Sequence, residues 1–400
     1  MRLDLAALAA SPNALAGDYT RFRVGERLLL SGHSHQAWPD AAFAGQLEAA
    51  EDAARFVDHK WEHAFARAER VREGLRRRLG DPAGEIALGP ATHDLLVRLV
   101  SALPFPARRR VVTTAGEFHA LRRQLARLEE DGSLEVVREG VDEVDTLAER
   151  LAARLDDATL VVFVSAVLFE TARIVPDLGG LAERCARLGV PLVVDAYHAV
   201  GVMPFRLAEL GLENAYVVGG GYKYLQLGEG NAFLRLPPPS DLRPRLTGWF
   251  AEFDALAARH TGAGVAWGTP ASRFAGATYD PTAHYRAARV FDYFDQRELS
   301  DELLRAVSQH QVGRLASGFD ALDLPPALVR RDTRTPLAGL GGFLALDSPR
   351  AGELRRGLEA RGVFCDHRGE TLRLGPAPYV SDAQLDAAIG ILGEVARELA

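Results

Sequence analysis

Residues 191–201 read PLVVDAYHAVG and combine an apolar run with polar and aromatic residues. The apolar run Leu192 to Val194 ends at an acidic residue, Asp195. A short uninterrupted apolar run is typical of a strand that is buried on both faces. A carboxylate directly after such a strand lies at the carboxyl edge of the sheet, where open α/β sheets bind their ligands. The stretch therefore predicts a buried strand with a ligand-binding residue at its end.

Similar runs occur on both sides of this stretch. They are EIALG (85–89), RRRVVTTAGE (108–117), LEVVRE (134–139), TLVVFVSAVL (159–168) and NAYVVGGG (214–221). Segments with helical spacing separate them, at about 91–103, 119–130, 145–155 and 178–189. Strands that alternate with amphipathic helices predict an α/β fold with a mainly parallel sheet covered on both faces.

The last third of the chain has a different pattern. Residues 247–281 are rich in glycine and aromatics without a clear period, which predicts a loop region. Two helices then follow from about residue 284, and after them the runs GGFLALD (341–347), GVFCDHR (362–368) and TLRLGP (371–376) precede a final helix. This order predicts a smaller α+β domain over 284–400, after a large domain over 41–283.

Composition limits the function classes. The 400 residues carry a net charge of −7, so no overall positive field attracts nucleic acid. No window approaches 18 apolar residues, so we expect no membrane partner. Only two cysteines, Cys185 and Cys365, are present, which excludes a disulfide framework and predicts a reducing compartment, the cytoplasm.

A lysine follows the last of these strands, in VVGGGYKYLQLGEGNAF (217–233). Lys223 lies between Tyr222 and Tyr224, and a buried lysine loses its proton more easily than an exposed one. A lysine and a strand-end aspartate in this order suit chemistry in which the amine condenses with an aldehyde cofactor and the carboxylate holds its ring nitrogen. The alternatives are that Asp195 caps a helix and that Lys223 is a surface residue.

A phosphate-binding cradle is predicted at LGPATHDLLVRLVSAL (88–103). Thr92 lies at the start of a helix, whose free backbone amides attract anions. The alternative is that Thr92 only caps the helix.

Together these motifs resemble the pyridoxal 5'-phosphate (PLP) enzymes of the class V aminotransferase superfamily, and within it the kynureninases. The residues that carry the resemblance are DAYHAVG (195–201), YKYL (222–225) and the later GEG. It implies fold type I, with a mainly parallel seven-stranded sheet in the large domain and a smaller α+β C-terminal domain. Residues 1–40 would form a segment that joins the small domain and the active site.

The resemblance also implies roles for single residues around the cofactor. Lys223 would form the Schiff base with PLP, Asp195 would bind the pyridine nitrogen, and His198 would lie beside the ring. Tyr222, Thr92 and the backbone of Ala91 would hold the phosphate. Phe118, in TTAGEFHALRRQL (113–125), would stack on the cofactor, with His119 as the rival.

Further roles concern the substrate and a second subunit. Trp249 in LTGWFAEF and Thr278 in RFAGATYDP match residues that reach the cofactor site of the other subunit, which implies a homodimer with shared active sites. Arg373 in TLRLGP would bind the substrate carboxylate of an amino acid, a role that suits a planar guanidinium. Ser34 and His35 would line the substrate side, and His33, Trp38 and Trp267 are further candidates for the side-chain pocket.

The sequence departs from kynureninases mainly on the substrate side. Gly32-His33-Ser34-His35 stands where kynureninases have Gly-Asn-Ser-Leu. A glycine that the family usually has after Thr171 is absent, and Gln226 replaces a common asparagine. The native substrate is therefore open, and the reaction predicted is kynureninase-like hydrolytic Cβ–Cγ cleavage, with a class V aminotransferase or a β-eliminating lyase as alternatives.

Four other interpretations are disfavoured. HKWEH (59–63) places its glutamate beside the wrong histidine for a zinc protease, so no metal is expected. The glycine run at 219–221 lacks dinucleotide-binding spacing. A cysteine desulfurase needs a reactive cysteine on a loop, whereas Cys365 falls in a predicted buried strand. A carrier of PLP without turnover would have no use for Arg373.

Overall fold

The computed structural model describes residues 3–255 and 264–399. The residues between them belong to the predicted loop region 247–281, and that part of the loop lies outside the described residues. Within the described part, the strands in chain order are β1 (Leu28–Leu29), β2 (Glu85–Gly89), β3 (Arg110–Thr114), β4 (Glu135–Glu139), β5 (Thr159–Ser165), β6 (Leu192–Asp195), β7 (Tyr216–Gly220), β8 (Ala232–Leu236), β9 (Leu344–Asp347), β10 (Val363–Phe364), β11 (Asp366–Arg368) and β12 (Thr371–Leu374).

The helices follow the same alternation. In chain order they are α1 (Leu5–Ala9), α2 (Asp40–Phe56), α3 (Lys60–Leu79), α4 (Thr92–Ala102), α5 (His119–Glu130), α6 (Leu147–Ala153), α7 (Leu178–Arg187), α8 (Leu207–Leu210), α9 (Thr282–Gln296), α10 (Asp301–Asp320), α11 (Ala351–Ala360) and α12 (Asp382–Leu399). Short 3₁₀ turns occupy Trp249–Ala255 and Ser272–Phe274 of the predicted loop region.

The large sheet confirms the predicted α/β architecture. Its seven strands lie in the order β2-β8-β7-β6-β5-β3-β4, and all neighbours are parallel except β8, which is antiparallel to both β2 and β7. β5 shows why its sequence is apolar throughout, because Val162 and Val164 enter one hydrophobic core and Val161 and Phe163 enter the other. Both faces of the sheet are therefore buried.

The carboxyl edge of this sheet brings the candidate residues together. β6 ends at Asp195, which pairs with Ser165 of β5 on one side and with Val218 of β7 on the other. The chain after β7 turns back into β8 through the loop that contains Lys223. The central strands thus deliver an acidic residue and the lysine loop to the same edge.

The C-terminal strands form a small antiparallel sheet, β11-β12-β9, on which α10 and α11 pack. The N-terminal segment contacts this region and the lysine loop. β1 pairs in parallel with β10, Ser31 bridges to Gly375, and the backbone N–H of Gln36 donates to the carbonyl of Tyr222 at 3.1 Å. The domain limits stay predictions, since α9 spans residue 284 and packs against α2 and α3.

Some elements differ from the sequence-based expectation. The predicted strand at 362–368 is interrupted at Cys365. Before this residue β10 pairs with β1, and after it β11 pairs with β12. Ala172, which stands where the family usually has glycine, adopts φ 62° in the left-handed region that glycine occupies without strain.

Membrane-spanning helices and metal-binding clusters are features of other classes of protein. In residues 3–255 and 264–399, no helix is long and apolar enough to cross a membrane. The same residues contain no group of three or more histidine, cysteine, aspartate or glutamate side chains that could hold a metal ion.

Candidate active site

Lys223 is a buried residue in the loop between β7 and β8, with 5% of its surface exposed. Its Nζ atom lies 2.6 Å from Nε2 of His198, and 4.6 Å and 5.2 Å from the ring centres of Tyr197 and Phe118. The interpretation of Lys223 as a surface lysine is therefore wrong. The amine is surrounded by an imidazole and aromatic rings.

Burial changes the proton affinity of this pair. It lowers the pKa of Lys223 to about 7, with a further lowering by the charge of Arg373, while the nearby Asp195 carboxylate opposes the shift. Burial and then the charge of Lys223 hold the pKa of His198 well below its ordinary value. The neutral forms of both groups are thus accessible near neutral pH, and a neutral amine is a nucleophile and a base.

Asp195 lies at the end of β6 with its carboxyl group in the same cavity. One carboxyl oxygen, Oδ1, accepts a hydrogen bond from the backbone N–H of Tyr197 at 2.8 Å. Burial raises the pKa of Asp195, whereas this hydrogen bond and the charge of Lys223 lower it. The helix-cap alternative is wrong, because the next helix, α8, begins only at Leu207.

A cavity of about 360 Å³ lies beside these residues. Its lining includes Ala91, Thr92, Phe118, Asp195 and Tyr222, all of them predicted cofactor-binding residues. Lys223 and His198 line a small adjoining cavity that shares Phe118, Asp195 and Tyr222. The structure therefore brings seven of the predicted residues together around two adjoining cavities.

The start of α4 forms one end of the cavity. Ala91, not Thr92, is the N-cap residue, and no side chain caps the helix. The hydroxyl of Thr92 instead donates to the carbonyl of Gly219 at 3.3 Å, so the plain-cap alternative for Thr92 is wrong. Uncapped amides at the start of an 11-residue helix, next to a threonine hydroxyl, suit an anion such as a phosphate.

Gly220, the last residue of β7, leaves room for an aromatic ring. The space beside Gly220 is filled by the hydroxyl and ring of Tyr197, so any side chain there would overlap that ring. Tyr197 in turn lies against Tyr222, with ring centres 5.0 Å apart. Gly220 therefore makes room for the pair of tyrosine rings that forms a wall of the cavity.

The structure distinguishes the two candidates for the stacking ring. Phe118 lines both parts of the cavity, whereas His119 lies outside its lining and packs edge-on against Phe169 at 5.5 Å. Phe118 remains our assignment for the ring that faces the cofactor.

Arg373 is buried and held by a neighbouring carboxylate that the sequence did not reveal. Its Nε and one Nη donate to the two oxygens of Asp366 at 2.8 and 2.6 Å, and the other Nη donates to the carbonyl of Phe169 at 2.5 Å. Asp366 and Arg373 face each other across the β11–β12 ladder. A guanidinium has five N–H groups, so two of them, one on each Nη, take no part in these three bonds.

His33 completes this cluster. It is fully buried, its Nε2 lies 2.7 Å from Oδ1 of Asp366, and its ring packs on Phe343 at 4.7 Å. Burial lowers the pKa of His33 to about 4, so the neutral ring donates to Asp366 at neutral pH. Although burial opposes ionisation of Asp366, the hydrogen bond from His33 and then Arg373 hold its pKa well below the ordinary value. His33 therefore supports Asp366 rather than opening toward the cavity.

The remaining predicted substrate residues lie near the rim. The imidazole of His35 is exposed and stacks on Tyr222 with ring centres 4.7 Å apart, and Ser34 lies 3.2 Å from its Nδ1. Trp38 packs instead between Phe22 and Phe43, away from the cavity lining. Trp267 is likewise absent from the lining of the cavity.

Trp249 and Thr278 lie together on the surface, outside the cavity of their own chain. The indole N–H of Trp249 donates to the hydroxyl of Thr278 at 3.2 Å, and 43% of Trp249 is exposed. This position leaves their predicted role, in the site of a second subunit, as a proposal.

Known proteins resemble this chain at low sequence identity. No protein-family model matches the chain. The chain is 26% identical over 343 residues to the uncharacterized aminotransferase YcbU of Bacillus subtilis, covering 84% of this chain and 86% of that protein. It is 25% identical over 362 residues to the kynureninase of Geobacillus thermodenitrificans, covering 84% and 79%.

The solved structures that it resembles have the same architecture. A cysteine desulfurase from Thermococcus onnurineus superposes with a TM-score of 0.80 at 18% identity, covering 97% of this chain and 98% of that chain. The cystine C-S lyase C-DES gives a TM-score of 0.80 at 15% identity, covering 93% and 98%. These relatives and neighbours have the class V aminotransferase fold of PLP-dependent proteins, which confirms the predicted resemblance and the fold type I prediction.

The low pKa of Lys223 predicts a selective chemical reactivity. The sequence contains two lysines, Lys60 and Lys223, so half-exposed Lys60 serves as an internal reference. Acetylation of Lys223 in the cofactor-free protein should reach half its maximal rate near pH 7, because only the neutral amine attacks and burial lowers its pKa to about 7. Mass spectrometry of the two lysine peptides measures both rates. If the acetylation rate of Lys223 varied with pH in parallel with that of Lys60, the lowered pKa of Lys223 would be contradicted.

The Asp366–Arg373 pair predicts a large stability effect. Asp366→Ala leaves the Arg373 charge buried and unpaired, which should lower the free energy of unfolding by about 3 kcal/mol. Asp386 provides the matched control, because it binds Arg314 in the same two-point geometry at the surface, and Asp386→Ala should cost less than about 1 kcal/mol. Urea unfolding compares the two, and equal losses would argue against the buried pair.

Proposed function

We propose that this chain is a PLP-dependent enzyme that acts on an amino acid through Lys223. The observation that carries the proposal is a pair of adjoining cavities lined by a buried amine, a strand-end carboxylate and an uncapped helix start. These are the groups that an aromatic aldehyde with a ring nitrogen and a phosphate would need. The relatives and the fold support the same cofactor.

The residues present fit PLP. Ala91, Thr92 and Tyr222 would hold the phosphate at the start of α4, and Phe118 would cover one face of the ring. Asp195 has a carboxyl group that accepts only the Tyr197 N–H among the hydrogen bonds of the described residues, so it is available to a ring nitrogen. When bound, PLP supplies an aldehyde that joins to an amine and a ring that withdraws electrons from the joined substrate.

Lys223 and His198 are the proton-handling groups of the site. With its pKa lowered to about 7 by burial, Lys223 can release a proton from Nζ to become a nucleophile, and then take up a proton from the substrate α-carbon. His198 Nε2, at 2.6 Å, accepts a hydrogen bond from this amine and fixes its direction. Asp195 supplies the negative charge that keeps a ring nitrogen protonated.

Arg373 would orient the substrate through its carboxylate. The fork of its guanidinium is fixed by Asp366 and the Phe169 carbonyl, so its two remaining N–H groups need no reorganisation to bind. An arginine held in this way recognises a carboxylate by two parallel hydrogen bonds. A free α-amino acid is the substrate class that combines such a carboxylate with an amine.

For the reaction we propose kynureninase-like hydrolytic Cβ–Cγ cleavage. The kynureninase relative matches 84% of the chain at 25% identity. An aminotransferase is the second candidate, because YcbU matches as much of the chain. His33, in the Asn position of kynureninases, supports Asp366 instead of facing the cavity, so we expect a substrate other than kynurenine to be preferred.

The cysteines disfavour a desulfurase of the kind that uses a reactive thiolate. Cys185 is buried, and Cys365 is half-buried between β10 and β11. Burial raises the pKa of both thiols to about 12, so neither is a thiolate near neutral pH. A β-eliminating lyase that needs no protein thiol stays an alternative. Two free cysteines also support our proposal of a cytoplasmic location.

The reaction is tested by product analysis. The PLP-loaded protein should absorb visible light, and a panel of amino acids that includes L-kynurenine should shift this band for its substrates. Release of alanine identifies Cβ–Cγ hydrolysis, whereas keto acids identify transamination. Arg373→Lys should reduce kcat/KM by roughly tenfold to a hundredfold, because an ammonium cannot form the paired hydrogen bonds. No visible band after addition of PLP would reject the proposal.

We also propose that two copies share active sites through the surface around Trp249. Trp61, Phe65, Phe250 and Phe253 form a chain of ring contacts with Trp249, and Leu246 close by in sequence is 56% exposed. Exposed apolar side chains such as Trp249 and Leu246 are typical of protein interfaces.

A charge on this surface should separate the subunits. Light scattering should give the wild type twice the chain mass of 43.4 kDa. Trp249→Glu should move the population to single chains, because it places a charge in the apolar contact, while Trp249→Phe should retain the dimer. Single chains for the wild type at all concentrations would reject the shared site.

A further inference from the structure

Glu117 is a buried carboxyl group that the proposed chemistry leaves unused. It immediately precedes Phe118 and is 3% exposed. Oε1 accepts hydrogen bonds from the Thr114 hydroxyl at 2.6 Å and from the Ser165 backbone N–H at 3.1 Å. Oε2 accepts from the Ser165 hydroxyl at 2.7 Å. All of these groups lie within the protein interior, where an unpaired donor is costly.

These bonds join two strands where their backbone pairing has ended. The ladder between β3 and β5 stops at Val112 and Val162. Thr114 and Ser165 lie beyond this point, at the ends of the two strands. Glu117 therefore supplies the connection that the backbone lacks, and it satisfies a backbone N–H that the ladder leaves without a partner.

Both ends of this connection reach the cavity. Ser165 lines the space around Lys223 and is the ladder partner of Asp195. The backbone N–H of Ala166, the residue after Ser165, donates to the carbonyl of Asp195 at 2.8 Å. Phe118, the residue after Glu117, lines the same space and is the N-cap residue of α5. One carboxyl group thus links the aromatic ring of the cavity to the strand that neighbours Asp195.

We propose that Glu117 is a positioning residue of the cofactor cavity: its hydrogen bonds fix Phe118 and Ser165, and through Ser165 the strand end that carries Asp195. This inference rests on the proposed function, since it concerns the residues that would face the ring of PLP. It assigns no contact between Glu117 and the cofactor.

The role depends on hydrogen bonds and not on a negative charge. Burial raises the pKa of Glu117, and the charge of Asp195 raises it further, although the bonds from Thr114 and Ser165 lower it. A glutamine could replace it, because its amide oxygen can accept the two bonds of Oε1 and its NH₂ can donate to the Ser165 hydroxyl, which can rotate. Alanine would remove all three bonds.

The test compares binding of PLP and of pyridoxal, which lacks the phosphate, to cofactor-free protein by absorbance titration. Glu117→Ala should weaken both by roughly tenfold, as expected for the loss of a buried hydrogen-bond partner, while Glu117→Gln should stay within about threefold of wild type. Thr92→Ala, at the phosphate end, should weaken PLP alone. Glu139→Ala is the stability control, because Glu139 is also a buried carboxylate at a strand end, bound to Arg150 and Arg154 outside the cavity.

The outcomes are distinct. Glu117→Ala could bind both compounds as tightly as wild type and lose thermal stability as Glu139→Ala does. That result would show that Glu117 has only a structural role and would overturn the proposal. A Glu117→Gln variant as weak as Glu117→Ala would overturn the hydrogen-bond account in favour of charge. Wild-type protein that binds neither compound would reject the proposed function itself, and this inference with it.

Discussion

The burial of one amine is the constraint on which the site depends. Lys223 can lie in the interior because His198, Tyr197 and Phe118 surround Nζ and because Asp195 balances part of its charge. A buried lysine without such neighbours would be strongly destabilising. Lowering its pKa to about 7 is the consequence of this burial, and it is also the property that chemistry with aldehydes needs.

The sheet supplies the geometry for this amine. Parallel strands bring Ser165 and Asp195 to one edge, and the antiparallel return through β8 places the lysine loop above them. The proposed substrate side is built differently, from β12 of the C-terminal sheet and from the N-terminal segment that contributes His33. Changes at His33 can therefore alter the support of Arg373 while the cofactor cavity keeps its residues.

The sequence was sufficient for the parts of the site that depend on local pattern. Asp195 and Lys223 follow recognisable strands, and the second of the two predicted helices, α10, begins after Ser300, which caps it. Strand β8 carried no separate pattern, since its fully buried Ala232–Leu236 follows a glycine-rich loop directly. Asp366 and Glu117 were missed for another reason. Their partners become neighbours only through strand register and strand ends, which single-sequence periodicity does not encode.

Covalent trapping of the cofactor tests directly whether Lys223 is the amine that binds PLP. Because Lys60 and Lys223 are the two lysines of the sequence, treatment of the PLP-loaded protein with borohydride followed by peptide mass spectrometry has two possible sites of attachment. We expect one pyridoxyl phosphate group per chain, on Lys223. It should be unchanged in Lys60→Arg and lost in Lys223→Ala. Attachment to Lys60 alone, or equal attachment to both lysines, would contradict this expectation.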